Sequence, residues 1–77
     1  MEKFKYQLAS DVIRDGLGLE LLNARGDVVA EVFRWDSDHR VTVNTFNNDV
    51  TLEELKALVG KAERDLDPFE DGVSINE

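Results

Sequence analysis

The chain has 77 residues, no cysteine, and seventeen Asp and Glu against nine Lys and Arg, for a formal charge of -8 at pH 7. A chain of this size holds one core, the missing thiols exclude disulfides, thiolate catalysis and cysteine-type zinc sites, and the acidic balance repels nucleic-acid phosphates and anionic headgroups. No apolar run approaches the ~18 residues of a spanning helix and the opening segment lacks a signal-peptide stretch, so the expected compartment is the cytoplasm, away from the membrane.

Phe4, Tyr6 and Leu8 alternate with Lys3, Lys5 and Gln7, the period that sets apolar groups on one side of a strand. Leu17, Leu19 and Leu21 resume the alternation after a less decided stretch from Ser10 to Gly16. Asn23-Ala24-Arg25-Gly26-Asp27 then supplies turn chemistry before an apolar run from Val28 to Trp35. Asp36-Ser37-Asp38-His39 separates that run from Arg40 to Phe46, where Val41 and Val43 alternate with Thr42 and Asn44. Opposed residues of an antiparallel pair share a face, and a slip of one residue exchanges the faces. Loops of even length place Leu17, Leu19 and Leu21 beside Val28, Ala30 and Val32, with Val41 and Val43 joining them. Odd loops set the leucines against Glu31 and strand a carboxylate in the core. The even registers are therefore expected.

Thr51 with Glu54 three residues later makes a capping box, and Val50 with Leu55 a hydrophobic staple. Leu52, Leu55, Leu58, Val59, Ala62 and Leu66 form one apolar stripe that ends at Asp67-Pro68. The expected fold class is α+β, an antiparallel β-meander of three to four strands followed by one C-terminal amphipathic helix packed on one face. Residues 1–67 make the single domain and residues 68–77 an acidic, flexible tail.

Chemistry-bearing patterns are sparse. Asp36, Asp38 and His39 sit close enough in sequence to ligate a metal or pair an acid with a base. Asp and Ser are ordinary turn formers, and the loop lacks the glycine and terminal glutamate of a calcium loop. Ser10, Ser37 and Ser74 are the serines available to His39, and none stands in a nucleophile elbow. Gly16 and Gly18 lack the third glycine and the lysine of a phosphate loop and are expected at a turn that opens a strand rather than a helix, and Arg25-Gly26-Asp27 is expected in the hairpin turn. Glu63, Asp65, Asp67, Glu70 and Asp71 form a solvated helix end and tail. No catalytic residue, metal site or cofactor is expected.

The segments Val12 to Leu21, Val29 to Arg34 and Thr45-Phe46 resemble a group of small uncharacterised bacterial proteins of similar length. The resemblance covers most of the chain. It implies a bacterial, cytoplasmic, stand-alone domain and transfers no activity, cofactor or catalytic residue.

One helix cannot cover both faces of a sheet, and the chosen register collects Leu22, Val29, Phe33, Trp35 and Phe46 on the reverse, where the N-terminal strand or the tail through Phe69, Val73 and Ile75 is the alternative cover. The candidate protein-interface residues are Val29, Phe33, Trp35 and Phe46, on a surface that meets a second copy or another protein. The expected function is a non-enzymatic protein-interaction domain, self-associating through that face. The alternative is an acidic inhibitor or immunity-type protein, such as a nucleic-acid mimic, docking its carboxylates on a basic partner.

Overall fold

The computed structural model describes residues 4–76, which form an antiparallel sheet followed by one helix, an α+β fold. β1 (Lys5–Asp11), β2 (Gly16–Leu22), β3 (Val28–Trp35) and β4 (Arg40–Asn44) lie in the order β1-β2-β3-β4, each strand beside its neighbour in sequence. The helix α1 (Leu52–Asp65) packs on one face. Its Thr51 side chain accepts the Glu54 N–H while the Glu54 carboxylate accepts the Thr51 N–H, so the capping box closes as the residue types require.

Pairing follows the alternation. Tyr6 and Leu8 stand opposite Leu21 and Leu19, which face Ala30 and Val32 on β3, and Val32 in turn faces Val43. The buried core is Leu19, Leu21, Ala30 and Val32 from the sheet with Leu58, Ala62 and Leu66 from the helix side, and Phe4, Tyr6 and Val50 pack against it.

One detail of register differs from expectation. The β2–β3 connection runs over five residues, 23–27, an odd length. Leu21 pairs with Ala30 while Leu22 pairs with Val28, leaving Val29 as an extra residue in a bulge. The bulge offsets the odd loop and returns the leucines to the aliphatic face, and it exchanges the sides of the two valines. Val28 opposes Leu22, and Val29 packs against the helix-side core. The turn itself closes as its residues dictate. The Asn23 side-chain oxygen accepts the Arg25 and Asp27 N–H groups, and Gly26 takes a φ of 88°, a value open to glycine without strain.

As expected, Gly16 opens β2, and Gly18 lies within that strand. A Cβ on Gly16 would meet the Arg34 carbonyl oxygen and lie 2.6 Å from the Phe33 ring; one on Gly18 would lie 2.9 Å from the Glu31 carboxylate. The two glycines clear a slot on the reverse face into which Phe33 and Glu31 settle.

The C-terminal segment, expected to fray, is laid back against the domain. Phe69 is buried, and Asp67 accepts from the Ser74 hydroxyl and the Ile75 N–H. Asn76 donates to the Glu63 carbonyl, and Ile75 packs against the core.

Candidate partner-binding cleft

The centre of the reverse face of the sheet is covered by the chain itself. Arg14, in the turn between β1 and β2, places its guanidinium 3.8 Å from the centre of the Phe33 ring. It donates two bonds, of 3.0 and 2.9 Å, to the Glu31 carboxylate and a third, of 2.7 Å, to Asp11. Asp11 also accepts the Ile13 and Arg14 N–H groups, which shapes the turn. The Arg14 N–H and then its guanidinium hold the Asp11 carboxyl below its ordinary value, and Glu31 foremost raises the Arg14 pKa further. Phe33 is 1% exposed beneath this clasp, and Glu31 is buried with it. Trp35 meets Phe33 edge-on at 4.9 Å, donates to the Thr42 hydroxyl and is half-buried.

The four expected interface residues therefore do not make one exposed patch. Phe33 is inside because a cationic roof reaches it from a turn, and Val29 is on the other side because of the bulge. Trp35 is half-buried, and Phe46 stands exposed just beyond β4.

The Asp36–His39 loop divides its side chains among separate partners. Asp36 pairs with Arg34 at 3.0 Å and accepts the Glu70 N–H, Asp38 lies 3.5 Å from Arg40, and His39 reaches Asp71 at 2.6 Å. The His39 ring stacks on Phe69 at 4.6 Å. Arg34 also donates to the Leu66 and Pro68 carbonyls, so it closes the end of the helix and holds the tail at once. Among the described residues no group of three or more His, Asp or Glu converges as a metal site, and Ser74 bonds to Asp67, away from His39.

A different surface stays open. An α-helix is about 10 Å across and strands lie about 4.8 Å apart, so one helix spans two strands. Here α1 packs on β2 and β3. The aliphatic row continues onto β4, where Val41 is 36% and Val43 48% exposed. Val59 and Ala62 of α1 form one wall, Val32 of β3 with Val41 and Val43 of β4 the floor, and Ile75 with Asn76 of the returning tail the third side. They enclose a mostly apolar cleft of about 230 Å³, with Glu63 as the charged residue on its lining. Beside it runs the outer edge of β4, which ends the sheet. Among the described residues no backbone hydrogen bond outside the β3 ladder reaches β4.

Family models, curated proteins and solved structures were compared with the chain, and none matched. The geometry carries the functional reading by itself. Val41 and Val43 were legible as aliphatic strand positions, and their exposure follows from the width of a helix against four strands. Ile75 was readable as a tail residue able to cover the reverse face, whereas it packs against the helix-side core.

Proposed function

We propose that this chain is a non-enzymatic protein-interaction domain whose contact surface is the cleft between α1 and β4. The observation that carries the reading is an apolar hollow over β3 and β4 whose floor reaches the last strand of the sheet, unpaired on its outer side among the described residues. A strand edge offers a row of backbone donors and acceptors, and the hollow offers a seat for side chains; together these are the components of strand-addition recognition. The uncovered sheet face is the weaker candidate, because Arg14 occupies its centre and removes Phe33 from contact.

A photo-reactive amino acid placed at Val43, and separately at Leu8 on the opposite sheet edge, tests the reading in the source cell. Protein adducts are expected from position 43 and not from position 8. Equal adducts from the two edges, or none from position 43, would refute it.

A further inference from the structure

Resting on the proposed cleft and deepening it, we infer that the occupant is an extended, positively charged peptide segment that pairs with β4 as a fifth strand and lays its inward side chains on Val41, Val43 and Ile75. Three features of the molecule converge on this occupant. Among the described residues the outer edge of β4 is unpaired, and the strand carries no lysine or proline to block a further strand, its one charged side chain, Arg40 at its start, being paired with Asp38. Val41 and Val43 project to the helix side, so a strand added alongside sets every second side chain over the same hollow. At about 230 Å³ the hollow exceeds a ~150 Å³ apolar cavity able to take up a benzene ring.

Charge chooses among candidate strands. The tail that walls the cleft belongs to a stretch, residues 66–76, with Asp67, Glu70 and Asp71 and no lysine or arginine, and Glu63 lies on the lining itself. A segment bearing lysine or arginine on its outward positions meets this field favourably, whereas a second copy carrying -8 is repelled by it.

Two synthetic nonapeptides, one alternating valine with lysine and one valine with glutamate, titrated into the full ¹⁵N-labelled chain test the inference. The lysine peptide is expected to shift the amides of residues 40–44 and Ile75, to slow hydrogen exchange along β4, and to bind at least about tenfold more tightly than the glutamate peptide. Raising NaCl from about 20 to 300 mM should weaken it several-fold. Val43→Asp, at a half-exposed position, should reduce binding about tenfold. A lysine peptide N-methylated at alternate residues should lose binding by a similar factor while leaving the protein unaltered. Equal affinity for both peptides, shifts confined to β1 or to the Val12–Ile13 turn, or undiminished binding of the N-methylated peptide would overturn the inference. Concentration-dependent protection of β4 without peptide would make a second copy the occupant and overturn it too. Adducts at Val43 in the cell beside a silent titration would leave the cleft reading standing and remove the peptide. Absence of both would remove the two together.

Discussion

Arg14 shows how much a single side chain outside regular structure can decide. It satisfies a buried carboxylate, covers an aromatic ring and fixes its own turn through Asp11. Removing one member of such a pair leaves the other charge buried without compensation, so Arg14→Ala is expected to destabilise by about 3 kcal/mol, at the low end for such pairs because the arginine retains some solvent contact. Joint replacement, Arg14→Met with Glu31→Leu, removes both charges and keeps an apolar cover on Phe33. It should return to within about 1 kcal/mol of the parent. Urea unfolding followed by Trp35 fluorescence measures both variants, and a loss below about 1 kcal/mol for Arg14→Ala would contradict the clasp. Val12 and Ile13, 92% and 98% exposed at the tip of the same turn, contribute little to stability despite their chemistry, because they bury nothing.

At the same scale, Asp71 ties tail to loop. The Val73 N–H first, and the His39 ring after it, hold its carboxyl below the ordinary 3.8. A lowered folded pKa means that the ionised form is favoured by folding. Its contribution is complete above 3.8 and is lost as the pH falls through the lowered value. The stability difference between the native chain and Asp71→Asn should therefore shrink in the acid limb, as the pH falls below about 4. A difference that grows below about pH 4 would reverse the assignment.

Among elements, two glycines with equal room have opposite expected signs. Neither Gly26 nor Gly60 has an atom within 4 Å of where a Cβ would stand. Gly60 lies inside α1, so Gly60→Ala should stabilise by about 1 kcal/mol through helix propensity. Gly26 holds a φ of 88° in the β2–β3 turn, so Gly26→Ala should destabilise by about 1 kcal/mol through backbone strain. Thermal unfolding of the two variants reads both signs, and the same sign for both would show that backbone conformation is not what separates them. The elements themselves were largely legible, because strand alternation and a capping box are local signals. What escaped depends on distant partners. Arg14 reaches Glu31 across seventeen positions, Arg34 reaches Leu66 across thirty-two, and the Val29 bulge is visible only once β2 and β3 are paired. The candidate cleft escaped for the same reason, since its third wall returns from the tail onto β4.

For the molecule as a whole, charge sets a test with two opposite outcomes. Arg14, Arg25, Arg34, Arg40 and Lys61 are each engaged in an ion pair. Among the described residues Lys5, Lys56 and Arg64 are the cations outside such pairs, whereas Asp15, Glu20, Asp49, Glu53, Glu54, Glu63, Asp67 and Glu70 are carboxylates outside them. The long-range balance is thus self-repulsion, which opposes the compact state and is screened by salt over a Debye length of about 10 Å at 0.1 M. Raising NaCl from about 10 to 150 mM should raise the Tm of the free domain, because screening relieves more repulsion than it removes attraction from exposed pairs worth little individually. The same salt should weaken the complex with a cationic segment, whose association draws on that unscreened field. Scanning calorimetry with and without the valine-lysine peptide separates the effects: the Tm of the free chain rises with salt while the increment due to peptide falls. A free-domain Tm that declines with added salt would mean that the ion pairs outweigh the net charge, and the electrostatic argument for a basic partner would go with it.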